Sequence, residues 1–346
     1  MKRWHRITLT LAAVTGTLVA AAVVLSACGS GGRAASASGD AAYTFAVIGD
    51  IPYGDAAVAD FPKAIAQINA DPAVQWVDHL GDIKNGSSAC SDEYFQQIKT
   101  DFDQFQDPLV YTVGDNEWTD CHRVDNGGYN PLDRLAKIRQ VFFPNPGHTL
   151  GQHSAAVQSQ ADLGVPENVR WQRADVGFAA LDVIGSNNSL VPWTGQTTPT
   201  AEQTTEVRGR TSASVQEIHD TFADARREHQ RAVVLLLQAD MFSPTVVVPS
   251  PDDFSGFQPI VAAIAQEAAA YHGPVYLFNG DTHVYNSDAP LAAGSKWLSF
   301  YGISQPVPNL SRVTVDGSDN AIDYLRVTIN RTGPKVLTWT SVPFTF

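Results

Sequence analysis

A chain of 346 residues has room for one large α/β domain or two ordinary ones. Its formal charge of −13 at pH 7, without a Lys/Arg run, suits a polyanionic nucleic acid poorly and leaves small molecules as the expected partners.

Lys2, Arg3 and Arg6 precede an uncharged apolar run from Ile7 to Val24, which ends in Leu25-Ser26-Ala27-Cys28. This is the basic, apolar and small-residue order of an export signal. Leu-Ser-Ala-Cys resembles the bacterial lipoprotein processing box, so residues 1–27 read as a signal peptide and Cys28 as the lipidated N-terminus. An uncleaved anchor is the alternative. Removing residues 1–27 takes three bases and no acid, leaving 20 basic against 36 acidic residues and a charge of −16. Residues 28–41, rich in Gly, Ser and Ala, read as the lipidated Cys and a flexible tether, and 42–346 as the domain. The expected location is the outer face of the bacterial cell membrane. Of the remaining thiols, Cys90 and Cys121, a disulfide is the simplest expectation outside the cytoplasm, against two separate buried thiols.

Tyr43 to Gly49 is a short β-rich run, and Ala56 to Ala70 follows with apolar residues at helical spacing. Val74 to Leu80 is strand-like, Asp92 to Phe105 helical, Leu109 to Val113 a third strand. That alternation predicts parallel strands with crossover helices. Leu132 to Phe143 is a further helix. Residues 144–167 read as an irregular excursion, and Trp171 to Ile184 as paired strands. A long helix carrying Val215, Ile218, Phe222 and Ala225 precedes Ala232 to Leu237, a continuous apolar run of the buried-strand type. Ile260 to Tyr271 is helical and Val275 to Phe278 another buried strand. The chain then turns to short β runs at Trp297 to Tyr301, Ser311 to Val315, Tyr324 to Ile329 and Val336 to Trp339. A doubly wound fold would keep its helices there, so the expected class is α/β, a four-layer αββα sandwich of two mixed β-sheets flanked by helices.

Four strand-like runs end in Gly-Asp: Gly49-Asp50, Gly81-Asp82, Gly114-Asp115 followed by Asn116, and Gly280-Asp281 followed by Thr282-His283. Any one of these is a turn or helix cap. Together, at the carboxyl ends of parallel strands, they converge on one edge and supply carboxylates, an amide and an imidazole, the donors of a hard-metal site.

In order and spacing, these motifs, with Leu236-Leu237-Gln238, resemble the calcineurin-like metallophosphoesterase superfamily, which includes purple acid phosphatases. The resemblance runs from about residue 43 to 315. It implies two metal ions that activate a water against a phosphoester. Asp50 would bind the first metal, Asp82 would bridge both, Asn116 would bind the second, and His283 would complete the first shell. The family's histidines are replaced at three places: Pro52 (with Tyr53 next to it), Gln238 and Asp281. The second metal would then see Asp82, Asn116, Gln238 and Asp281, an all-oxygen shell that favours Mn²⁺, Mg²⁺ or Ca²⁺ over Zn²⁺ or Fe; for Gln238 the alternative is an amide that satisfies backbone groups at a buried strand end. The family's acid histidine is replaced by Glu117, so Glu117 and His122 are the candidate proton donors. Tyr53, Lys84 and Arg123 are candidate substrate contacts, the two cations having carboxylate pairing as their alternative. His79, alternating with the site-facing residues, is expected to be satisfied within the sheet.

The resulting expectation is a metal-dependent phosphoesterase acting on phosphomonoesters or phosphodiesters outside the cytoplasm. The alternative is a non-catalytic, cation-holding or ligand-binding lipoprotein on a degenerate version of the same fold. A nucleotide-binding α/β domain is disfavoured by the β-rich end and by the lack of a Gly-rich phosphate loop.

Overall fold

The computed structural model describes residues 42–346; the expectations for residues 1–27, for Cys28 and for the tether lie outside the described residues. Among the described residues, twelve strands form two sheets. The first holds β1 (Tyr43–Ile48), β2 (Val74–His79), β3 (Leu109–Tyr111), β11 (Asp323–Ile329) and β12 (Leu337–Pro343), in the order β12-β11-β1-β2-β3. The second holds β4 (Gln158–Gln160), β5 (Val165–Arg173), β6 (Val176–Ala180), β7 (Ala232–Leu236), β8 (Val275–Asn279), β9 (Asn286–Asp288) and β10 (Leu310–Thr314), in the order β4-β5-β6-β7-β8-β10-β9. Both are mixed: β1, β2 and β3 are parallel, as are β6, β7, β8 and β10, while β11, β12, β4, β5 and β9 join by antiparallel pairing.

Period-two alternation divides each central strand between two cores. In β1, Phe45 and Val47 face the second sheet and pack with Phe178, Leu236 and Phe278. Ala46 and Ile48 face the other way, onto Phe61, Ile65 and Ile68 of the helix Gly54–Ala70. In β7, Val234 and Leu236 join the core between the sheets, whereas Val233 and Leu235 pack with Ile218 and Phe222 of the helix Ala201–Arg227. Helices therefore cover the outer face of each sheet, and the architecture is the expected sandwich.

Two expectations need correction. Trp297 to Tyr301 is helical (Lys296–Phe300), not a strand. Ser295 Oγ caps it by accepting from Trp297 N at 3.2 Å, and Trp297, Phe300 and Tyr301 stand three and four residues apart, on one helical face. Their rings pack on Phe254 and Phe242, so aromatic β-propensity is overridden by packing at helical period. The irregular excursion also contains β4 and the start of β5. Among the described residues, no helix is long and apolar enough to cross a membrane.

Candidate metal centre

The parallel strands deliver their Gly-Asp ends to one edge from both sheets. Asp50 follows β1, Asp82 follows β2 and Asp115-Asn116 follow β3, while Gln238 follows β7 and Asp281-Thr282-His283 follow β8. Two of the glycines are required by close approach. A Cβ at Gly114 would lie 2.1 Å from Asp82 Oδ1, and one at Gly280 would lie 2.2 Å from Asp50 Oδ2. Hydrogen at these positions lets each loop close onto its neighbour's carboxylate. Asp50, Asp82, Asp281 and His283 all take positive φ (51°, 54°, 76° and 60°), backbone strain of the kind that concentrates at functional sites.

Asp50, Asp82 and His283 each bring one ligand-type atom within 4.8 Å of the others. His283 Nε2 stands 3.4 Å from Asp50 Oδ1. The Asp281 N–H donates to both Asp50 oxygens at 3.0 Å. Asp82 Oδ1 accepts from Asn116 N at 3.1 Å. Its Oδ2 accepts from Tyr53 Oη at 2.8 Å, from Asn116 Nδ2 at 2.8 Å and from Gln238 Nε2 at 3.2 Å.

Burial raises the Asp82 carboxyl well above the usual range, and the charges of Asp115, Glu117, Asp50 and Asp281 push it further. Burial raises Asp50 and Asp281 too. For His283, burial opposes the charged ring, but Asp50, with Asp115 and Asp319, outweighs it and raises the imidazole. Buried carboxylates that repel one another beside an imidazole are what a divalent cation neutralises. The residues present fit one such ion, held by Asp50, Asp82 and His283.

The residues expected around a second ion hydrogen-bond to one another and to nearby backbone. Gln238 Oε1 accepts from Gly185 N at 2.6 Å, and the amide turns its N–H donors to Asp82 and to Asp115 Oδ1, 3.3 Å away. Asn116 likewise presents Nδ2 to Asp82 and to Tyr53 Oη, the latter at 2.9 Å. Asp281 Oδ2 accepts from Asp240 N at 2.9 Å. Donors from Tyr53, Asn116 and Gln238 thus converge on Asp82 Oδ2.

Glu117 is fully buried, and its Oε1 accepts from Gly114 N at 2.6 Å, Tyr111 Oη at 2.7 Å and Asp82 N at 3.1 Å. It ties the second and third loops together and is not presented to a substrate. His122 is turned to Thr194, whose N donates to Nδ1 at 2.9 Å. Lys84 is also fully buried, donating to the carbonyls of Asn85 at 2.7 Å and Asn116 at 2.9 Å. Burial lowers its ammonium to about 8, against the carboxylates around it. It holds the third loop and has no exposed charge for a substrate. Arg123 pairs with Asp120 at 2.7 Å and remains part exposed. Tyr53 does turn inward, its ring edge-on to His283 at 5.3 Å. The Cys90–Cys121 disulfide forms, with Cα atoms 5.8 Å apart, and its sulfurs lie 3.5 and 3.7 Å from the Asn116 carbonyl oxygen. His79 is buried outside this cluster, as its strand alternation implies.

Sequence reasoning missed the segment Gly185–Ser189. Ser186, Asn187, Asn188 and Ser189 take left-handed φ of 50°, 54°, 56° and 67° in succession. Ser186 Oγ lies 2.9 Å from Asp115 Oδ2 and 2.8 Å from Asp120 Oδ1. A run of Ser and Asn after an apolar stretch was the available signal. Arg312, fully buried on β10, was missed as well. It pairs with Asp240, whose Oδ2 accepts from Thr282 Oγ1 at 3.0 Å in the His283 loop.

No family model matches the chain, and no curated protein matches it in sequence. In fold it is similar to GAP50, the anchor in the inner membrane complex of Plasmodium, at 6% identity and a TM-score of 0.44, over 89% of this chain and 90% of that one. It is also similar to the purple acid phosphatase PPD1 from yellow lupin (Lupinus luteus) seeds, at 11% identity and a TM-score of 0.42, over 88% of this chain and 54% of that one. At these values neither likeness carries an argument about this chain's chemistry.

Proposed function

We propose that this chain is a metal-dependent phosphoesterase that hydrolyses small phosphomonoesters or phosphodiesters outside the cytoplasm. The observation that carries the reading is the convergence of Asp50, Asp82 and His283 from strands of two different sheets. The ordered Gly-Asp motifs and their resemblance to metallophosphoesterases supply the reaction class. A divalent cation, when bound, acts as a Lewis acid that acidifies water and neutralises phosphoryl charge. Mn²⁺, Mg²⁺ or Ca²⁺ is expected ahead of Zn²⁺ or Fe, because the donors are mostly carboxylate oxygens.

The chain's own groups fix the donors. The Asp281 N–H orients Asp50, and Glu117 anchors the backbone of Asp82 and Gly114. Tyr53 and Asn116 hold Asp82 Oδ2. Export and lipidation at Cys28 would place this domain in the oxidising compartment that its disulfide suits, tethered to the membrane by residues 28–41.

A specific observation favours the second reading, a non-catalytic cation-holding lipoprotein: the amides of Gln238 and Asn116 direct N–H donors at Asp82 Oδ2. The two readings separate in one assay. Turnover of a panel of phosphoesters is measured with Mn²⁺, Mg²⁺, Ca²⁺, Zn²⁺, Fe²⁺ or chelator. Metal-dependent turnover that falls at least about 100-fold in Asp82→Ala supports the enzyme. Full activity in that variant sinks it, and cation binding with flat activity across the panel favours the second reading.

A further inference from the structure

In β10, Val313 joins the core between the sheets and Leu310 the core under the helices, so period-two alternation turns the fully buried Arg312 to the helix-covered side beside Leu310. Its guanidinium forks onto two carboxylates. Nε and Nη2 donate to the two oxygens of Asp288 on β9, at 3.0 and 2.7 Å, and Nη1 donates to Asp240 Oδ1. Asp240 is 2% exposed, and its Oδ1 also accepts from Phe242 N at 3.1 Å. Packed apolar residues in place of a buried ion pair are often neutral or stabilising, so stability alone explains the Arg312–Asp240 pair poorly. What the pair supplies is a carboxylate of fixed orientation.

The remaining groups of Asp240 go to the loop after β8. Its Oδ2 accepts from Thr282 Oγ1 at 3.0 Å, and its N–H donates to Asp281 Oδ2 at 2.9 Å. Thr282 stands between Asp281 and His283, both at positive φ (76° and 60°), a conformation that persists only where the surroundings hold it. Burial does not lock the His283 ring, since its side chain is 33% exposed. The far end of the loop is tied by the His283 carbonyl, which accepts from Asn320 Nδ2 at 2.9 Å and Gly317 N at 3.3 Å. At the near end, the Asp281 N–H meets Asp50 at 3.0 Å, and Asp240 is the group that grips both Asp281 and Thr282.

We propose that Arg312 and Asp240 are positioning residues for the metal centre: Arg312 fixes the Asp240 carboxylate, which through Thr282 holds the 281–283 loop so that the His283 ring and the Asp281 N–H stay against Asp50. The inference rests on the reading of Asp50, Asp82 and His283 as cation ligands. None of Arg312, Asp240 and Thr282 is itself a ligand here; they act through the loop. The network joins β10, the loop after β7 and the loop after β8, so a ligand carried by one strand end is set by a charge on its neighbour.

Calorimetric titration of the full chain with Mn²⁺ tests this, beside amide hydrogen exchange of the cation-free protein. Thr282→Val keeps the shape of the side chain and loses its hydroxyl. Arg312→Lys keeps the charge, but one ammonium cannot fork onto Asp240 and Asp288 together. Each should weaken Mn²⁺ binding by about 10-fold or more, whereas Thr282→Ser, which retains the hydroxyl, should stay within about 3-fold of the wild type. In the cation-free protein, Thr282→Val and Arg312→Lys should speed exchange at the amides of Asp281 and Thr282 by about 10-fold or more and leave those of β8 unchanged. Wild-type affinity in Thr282→Val overturns the proposal, and so does a loss in Thr282→Ser equal to that in Thr282→Val. Loop and β8 amides that speed up together also overturn it, because the network is then a general stability device. If the wild type takes up no Mn²⁺, the cation-site reading fails by itself; the exchange rates then decide alone whether Arg312 and Asp240 hold the loop, and unchanged rates at Asp281 and Thr282 overturn that.

Discussion

Among Phe61, Phe102 and Tyr111 the His79 ring is fully buried, with Nε2 donating to the Ile51 carbonyl at 2.8 Å and Nδ1 unpartnered. Burial drives its imidazole down to about 4, although the Ile51 bond pulls the other way. The unfolded chain, with an ordinary histidine near 6.5, therefore takes up the proton first as the pH falls. Stability that is complete above pH 6.5 is lost between 6.5 and about 4, amounting to about 2 kcal/mol by pH 5. Urea unfolding of the wild type and His79→Gln from pH 7.5 to 5 checks this. The variant should lose less stability over that interval by about that amount, and parallel curves would show that His79 is not the group responsible. The strand pattern alone placed this ring inside the sheet. Its partner did not follow from it, because Ile51 lies 28 positions away in sequence.

At the level of elements, the loops after β2 and β3 are joined by Cys90–Cys121 and braced by the buried Lys84 and Glu117. The bridge closes a sequence separation of 31, for which chain-entropy arguments give about 3–4 kcal/mol. Because both sulfurs rest against the Asn116 carbonyl, the Cys90→Ser/Cys121→Ser variant should lose cation affinity as well as melting temperature. Calorimetric titration with Mn²⁺ beside a thermal melt separates the two effects, and an unchanged affinity would make the bridge a stability device alone. The strand ends and their carboxylates were legible in the chain because short apolar, β-rich runs and Gly-Asp turns are local signals. The left-handed turn was not, since Ser and Asn there are held by Arg210, Gly256 and Asp252, contacts that no window of sequence contains. Gln238's position beside Asp82 and Asp115 was legible, but not its orientation: which end of the amide faces them depends on the Gly185 N–H, 53 residues away.

For the whole molecule, a small part of the chain's acidity is buried at one edge. Asp50, Asp82, Asp115, Asp281 and Glu117 bring five carboxyl groups together at one edge, and the upward shifts of Asp50, Asp82, Asp281 and Glu117 record the cost of burying them. A cation that binds only the folded chain must then stabilise it, by about 2.7 kcal/mol at a hundredfold excess over Kd, which is a rise of a few degrees in Tm. Gln238 tests the origin of that gain, because its amide already donates to Asp82 and Asp115. In Gln238→Glu one oxygen can still accept from Gly185 N–H, while the other replaces a donor with a further negative charge. With chelator present the variant should be less stable than the wild type by about 3 kcal/mol, the cost of an uncompensated buried charge. Added Mn²⁺ should recover most of that deficit, so the Mn²⁺-induced rise in Tm should exceed that of the wild type. If the rise is the same in both proteins, the cation does not sit among these carboxylates and the site must be sought elsewhere on the fold.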